Sequence, residues 1–139
     1  MTDQDFQSIG KHLGFPIPAY YRATMSSYPF SADSFAAEFM LPDDPEQVID
    51  LNEIHISSPE VSKPFFIGSD GGEERFFVDA AKSDSGVFVF ELETGKHRPL
   101  TPTWTAFFEH IQAAHAEIEA DKKAMEQRKL NKKWWEFWK

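Results

Sequence analysis

Alternating apolar and polar residues predict that the middle of the chain forms a β-sheet. In residues 65–79, two phenylalanine-rich runs flank a turn of glycines and acids that tolerates positive φ, the pattern of a β-hairpin. Residues 87–92 form the clearest strand, and residues 93–95 turn it back into residues 96–100 as a second hairpin. An alternation that begins at Ser34 and stops at Pro42 predicts one more strand, with apolar positions at Phe35, Ala37, Phe39 and Leu41.

Cap residues and helical spacing predict three helices in the first half of the chain. Thr2 and Asp5 have the spacing of a capping box, and the helix that follows them is expected to end at Gly14. Pro18 suits the first position of a second helix, which continues through residue 25. Asp44 is expected to cap a third helix, because proline follows it at the first helical position.

A last helix is predicted after Thr101 and Pro102. Beyond Ile118, Glu and Lys dominate, so this helix is expected to continue as a solvated arm. Its apolar stripe, which should pack on the sheet, consists of Trp104, Phe107, Phe108, Ile111 and Ile118. Mixed helices and strands with hairpin-length connections predict a single α+β domain, with a largely antiparallel sheet, N-terminal helices and a long C-terminal helix packed on it. We place this domain at residues 1–120 and a basic, aromatic helical tail at residues 121–139.

Composition favours one cytoplasmic domain. A chain of 139 residues with 41% hydrophobic content is the size of one ordinary domain with a core. There is no cysteine, which excludes disulfides, thiolate metal sites and a cysteine nucleophile. The acidic N-terminus lacks the apolar segment of a signal peptide, and no run reaches the roughly 18 apolar residues of a membrane span. A cytoplasmic location is therefore expected.

Charge is divided unevenly along the chain. Residues 1–120 carry 7 Lys and Arg against 20 Asp and Glu, a net charge of −13, whereas residues 121–139 carry 7 against 3, a net charge of +4. An acidic body repels a phosphate backbone, which argues against direct nucleic-acid binding, and it attracts a basic partner. The alternative is that these acids only solvate the surface.

The sequence contains no recognisable catalytic or metal-binding motif. No two of the five histidines have the three- or four-residue spacing that places two imidazoles on one helix face. The acids near the first hairpin lack the alternating ligands of a calcium loop, and there is no Gly-x-Ser-x-Gly motif. We therefore expect no enzymatic activity, no metal and no cofactor.

Three segments, in order, resemble one protein family. They are Leu-Gly followed by Ile17-Pro18 and Tyr21-Arg22 within residues 13–22, the Gly-Ser-Asp-Gly-Gly turn within residues 66–72, and the aromatic helix start at residues 104–108. Over residues 3–115 the chain resembles the Smi1/Knr4 superfamily, also called SUKH. This resemblance implies a non-enzymatic protein-binding domain, because bacterial members are commonly immunity proteins that neutralise a toxin, often a nuclease. Fungal members act as regulatory scaffolds.

The hairpin acids are the candidate contacts of such a domain. Asp70, Glu73 and Glu74, with Asp79 nearby, are expected to face cationic groups on a basic toxin. The alternatives are that they are ordinary solvated turn acids, or that the glycine-bearing loop holds a ligand.

The tail is the second candidate contact. Trp134, Trp135 and Trp138 crowd into the last six residues, and so much aromatic surface should be covered. The tail could fold back on the body or pack on a second copy in a homodimer, anchor a partner protein, or adsorb to a membrane surface. Two further functions stay open: a regulatory or scaffolding module that docks through this tail, and a small-molecule-binding or enzymatic domain with a pocket near the hairpin.

Overall fold

Helices precede and follow a four-stranded sheet. The computed structural model describes residues 1–56 and 60–137, with side chains through residue 130. The elements, in order, are α1 (Asp3–Leu13), α2 (Ala19–Ser26), a π-helix (Ala36–Met40), α3 (Pro45–Leu51), β1 (Pro64–Ser69), β2 (Glu74–Asp79), β3 (Val87–Glu91), β4 (His97–Thr101) and α4 (Trp104–Phe137). The predicted α+β class and both predicted hairpins are confirmed.

The sheet is an antiparallel meander in the order β1-β2-β3-β4. Because successive side chains of a strand point to opposite faces, the strands divide their apolar residues between two clusters. One face packs with the helices in the main core and contributes Phe65, Ile67, Phe76, Val78, Val87 and Val89. The other face holds a smaller cluster in which Phe66 and Phe77 pack with Val61, from the segment before β1.

The predicted helix boundaries in the first half of the chain are largely confirmed. Thr2 and Asp5 exchange the two hydrogen bonds of a capping box, and Gly14 ends α1 with a φ of 84°. The Asp44 side chain accepts a hydrogen bond from the backbone amide at the start of α3. Pro18 stands one residue before α2, at the N-cap position.

The strand predicted from Ser34 to Pro42 is wrong, because residues 36–40 form a π-helix. The Leu41 amide donates to the Ala36 carbonyl, five residues back, and the Ser34 hydroxyl accepts a hydrogen bond from the Ala37 amide. Ala36, Met40 and Leu41 are buried, a spacing that fits one turn of a wide helix. Alternation over so few residues does not distinguish a strand from such a turn.

The helix α4 joins the body by its first four turns. Trp104, Phe107 and Ile111 are buried, and the Trp104 indole donates to the Thr24 hydroxyl over 2.8 Å. Ile118 is the last residue of the predicted stripe to pack against the core, and every residue from 120 to 130 is exposed. The predicted solvated arm is confirmed over these residues. No helix within the described part of the chain combines the length and apolar content that crossing a membrane requires.

Candidate protein-binding surface

The turn between β1 and β2 is held in one conformation by its own side chains. Asp70 Oδ1 accepts hydrogen bonds from the amides of Gly72 (2.8 Å) and Glu74 (3.1 Å), and Ser69 Oγ accepts one from the Gly71 amide. Gly71 adopts a φ of 85°, which non-glycine residues rarely do. Arg75 donates from its guanidinium to the Gly72 carbonyl. The turn is therefore a preorganised feature of the surface.

The π-helix packs against this hairpin. A Cβ on Gly68 would lie 1.9 Å from the carbonyl oxygen of Met40, so only glycine lets the backbone of β1 approach the π-helix so closely. A Cβ on Gly71 would lie 3.0 Å from the Phe35 ring, which itself packs on Phe39 with ring centroids 5.0 Å apart. The π-helix thus positions two aromatic rings beside the turn.

Two exposed apolar side chains flank the turn acids. Phe39 remains 37% exposed beside Gly71, and Leu92 is 40% exposed immediately after β3. The Leu92 amide donates to the Glu73 carbonyl, which fixes this leucine next to the turn. We call the exposed group of Phe39, Asp70, Gly71, Glu73 and Leu92 the tip surface. It combines two exposed carboxylates with apolar area, so it offers a partner both charge attraction and surface to bury.

The four predicted hairpin acids do not have equivalent environments. Asp70 and Glu73 are exposed in the tip surface. Glu74 forms an ion pair with Arg98 across the sheet at 3.0 Å, which offsets its charge. Asp79 lies at the far end of β2, about 17 Å from Glu74 along a six-residue strand.

Asp79 is only 2% exposed, which corrects its assignment to the contact surface. Its carboxylate accepts hydrogen bonds from the backbone amides of Ser62, Lys63 and Ala81 at 3.0–3.1 Å. Burial on its own would raise the pKa of Asp79, but these amides outweigh it and hold the pKa below its ordinary value. Asp79 is therefore a buried structural carboxylate that joins two loops.

The predicted contacts of the tail tryptophans fall outside the described side chains. Trp134 and Trp135 fall in the last turns of α4, where side chains lie outside the described residues, and Trp138 lies outside them altogether. Their predicted role in contacts stays a prediction.

An open groove of about 720 Å³ lies elsewhere on the body. It is lined by α1, the loop to α2 and α2 itself, and it includes Lys11, Phe15 and Arg22. Phe15 contacts Phe65 at the start of β1, whereas the tip surface adjoins the other end of that strand. The groove and the tip surface are therefore separate features.

The histidines pack as ordinary side chains where contacts are described. His115 lies against the Phe30 ring, with centroids 4.8 Å apart, and His97 lies against Phe77. Among the residues that the structure describes, no group of three or more His, Cys, Asp or Glu side chains could hold a metal ion.

Sequence reasoning missed Phe39 and Leu92 as members of the candidate site. The alternation from Ser34 to Pro42 places Phe39 in a strand, and Leu92 ends an apolar strand that is typical of a core. Two signals were available in the sequence. Phe35 and Phe39 have the four-residue spacing of neighbours on a helix. Pairing β2 with β3 places Glu74 opposite Glu91, and therefore Glu73 opposite Leu92.

Comparisons with known proteins found no family model, no curated protein and no solved structure that matches this chain.

Proposed function

We propose that this protein is a non-enzymatic binding domain of Smi1/Knr4 type that neutralises a basic protein toxin by direct contact. A nuclease is the kind of toxin that fits best, because its substrate-binding surface is positively charged. The domain would cover that surface and exclude the substrate. The observation that carries this proposal is the tip surface, a preorganised patch with two exposed acids on a body of net charge −13.

Rigidity supports binding because it lowers the entropic cost of association. The turn is held by three hydrogen bonds to side-chain oxygens of Ser69 and Asp70, so little conformational freedom remains to be lost on contact. Phe39 and Leu92 add apolar area that a partner can bury. The acids contribute attraction during approach and select a basic partner.

The tip surface alone is smaller than a standard interface. A stable complex buries about 800 Å² on each partner, which takes roughly 20 residues. We therefore regard Glu73 and its neighbours as the centre of a larger contact area, in the way that few residues dominate most interfaces.

The test is co-expression and titration with the basic toxin encoded by a neighbouring gene. We expect the wild-type protein to form a complex and to protect the host cells. Glu73→Lys should weaken the complex by about tenfold or more, because it opposes a cationic partner at the centre of the contact. Phe39→Ala should weaken it by removing apolar contact area.

The matched control is Glu53→Lys. Glu53 is also exposed and lies just after α3, and this change alters the net charge by the same amount. It should leave affinity within about twofold, since an isolated surface charge contributes little. Absence of both complex and protection with wild-type protein would overturn the proposal. Equal weakening by the two lysine variants would show that overall charge, rather than the tip surface, drives binding.

A further inference from the structure

The part of α4 that follows its packed turns is an exposed helical surface. All residues from 120 to 130 are exposed, and they include Met125 at 59% and Leu130 at 60%. Lys122 pairs with Glu119 at 3.7 Å, an exposed contact that contributes little to holding the arm. The exposed stretch from residue 120 to residue 130 is about 16 Å long, and the helix backbone continues to residue 137. Such a long surface is suited to a second helix.

Charge along α4 is separated into two blocks. Residues 109–121 contain four acids, Glu109, Glu117, Glu119 and Asp121, and no Lys or Arg. Residues 122–133 contain six Lys and Arg and a single acid, Glu126. The helix dipole favours this order only within the first and last turns, and most of these charges lie outside them. The dipole therefore does not account for the separation.

An antiparallel pairing of two such helices makes the blocks complementary. If a two-fold axis passes near the junction of residues 121 and 122, the acidic block of each copy lies beside the basic block of the other. A parallel pairing would place like charges together along the whole length. Leu130 lies five helical turns after the exposed Gln112 and therefore on the same side of α4, so a second helix along that side would partly cover it.

The body leaves room for this pairing. The core-facing side of α4 holds Phe107 and Ile111, whereas Gln112, Ala113 and Ala116 are exposed on the remaining surface. A second helix can therefore lie along the outer side of α4 from the arm back towards its start. We propose that α4 is the interface of an antiparallel homodimer, in which the acidic block of each copy pairs with the basic block of the other. This interface is separate from the tip surface and does not depend on its function.

The test reverses the charge of one block at a time and measures self-association by analytical ultracentrifugation. The basic-arm variant E117K/E119K/D121K and the acidic-arm variant K123E/R128E/K129E each give the two blocks net charges of the same sign, which removes their complementarity in a homodimer. The wild-type protein should sediment as a dimer at low salt and dissociate as salt increases. Each variant alone should have a dissociation constant raised by about tenfold or more, and an equimolar mixture should form a heterodimer.

The control is E46K/D50K/E53K, which changes the net charge as much as the basic-arm variant does but acts at exposed positions in and after α3. It should remain dimeric, and circular dichroism should report unchanged helix content in every variant. A wild-type protein that stays monomeric at high concentration and low salt overturns the proposal. So does a mixture of the two arm variants that fails to associate. Binding of the monomer to anionic phospholipid vesicles through the basic block would replace the dimer by a lipid partner.

Discussion

A single buried carboxylate joins the loops at one end of the sheet. The Asp79 side chain accepts hydrogen bonds from the amides of Ser62 and Lys63, which precede β1, and from that of Ala81, which follows β2. Its own amide donates to the hydroxyl of the buried Ser85. Four residues from two loops therefore depend on Asp79 for a hydrogen bond. Hydrogen bonds to an ionised acceptor are among the stronger polar contacts in proteins.

Asp79→Asn should lower the free energy of unfolding by about 2–4 kcal/mol at pH 7. The amide keeps one acceptor oxygen but turns an NH2 group towards backbone amides that need an acceptor. Urea denaturation measures the change. The control is Asp84→Asn in the following loop, where the side chain is exposed and the effect should stay within about 0.5 kcal/mol. A loss no larger than the control's would contradict the structural role of Asp79.

The same carboxylate gives the protein an acid-sensitive stability. The pKa of Asp79 is lowered in the folded state, so its ionised form stabilises the fold above the unfolded pKa of about 3.9. This contribution falls away as the pH drops from that value through the lower folded pKa. Between pH 5 and pH 2, wild-type stability should therefore decline more steeply than that of Asp79→Asn. Parallel curves would show that other acids account for the decline.

The sequence indicated an acid at this position but not its environment. An aspartate at the end of a strand resembles an exposed turn acid, and its partners Ser62 and Lys63 lie 17 and 16 residues away in the chain. Burial by distant segments has no local signature. By contrast, Glu73 could be assigned to the surface, because a hairpin turn is exposed whatever surrounds it.

At the scale of elements, the close contact between β1 and the π-helix positions the aromatic side of the tip surface. Gly68 lies against the Met40 carbonyl, at a register shift in the pairing of β1 with β2. Ser69 donates towards the Phe39 carbonyl at 3.5 Å in the same region. The position of the Phe39 ring therefore depends on a backbone contact as well as on its own packing.

Gly68→Ala should lower the free energy of unfolding by about 3 kcal/mol, since its Cβ would overlap the Met40 backbone and force the two elements apart. Gly72→Ala is the matched control, because a Cβ there meets Asp70 Oδ1 at an ordinary 3.6 Å. It should change stability by less than about 0.5 kcal/mol. Thermal or urea denaturation compares the two. Equal effects of the two substitutions would mean that the contact at Gly68 relaxes without cost.

Elements with local signals could be predicted, and the π-helix could not. The box at Thr2, the cap at Asp44 and the hairpin turns each act through neighbours within five residues, so their residue types identify them. The π-helix owes its shape to burial of Ala36, Met40 and Leu41 against other parts of the chain. Its sequence pattern is compatible with a strand, and tertiary packing decides between the two.

For the whole molecule, the end of the apolar stripe at Ile118 predicts where α4 leaves the body. The tip surface required the tertiary structure, because it unites residues from the π-helix, the first hairpin and the end of β3. The sequence predicts its acids, Asp70 and Glu73, but not its apolar members, Phe39 and Leu92. The difference in net charge between the body and the arm, in contrast, follows from the sequence alone.

Removal of residues 121–139 should leave the domain folded, with the free energy of unfolding changed by less than about 1 kcal/mol, because residues 120–130 are exposed. A shorter protein ending at residue 110 is the contrast. It lacks the buried Ile111 and the contact of His115 with Phe30, and it should lose at least about 3 kcal/mol.

Urea denaturation makes this comparison at low protein concentration and high salt, because dilution and charge screening keep the protein monomeric. If removal of residues 121–139 then lowers the free energy of unfolding by several kcal/mol, the tail packs on its own body. That result would contradict the prediction that α4 leaves the domain as an exposed arm. At high protein concentration and low salt, the full-length protein should become more stable as its concentration rises, because a dimer is favoured by mass action. The shortened protein should show no such dependence, since it lacks the basic block that pairs with residues 109–121.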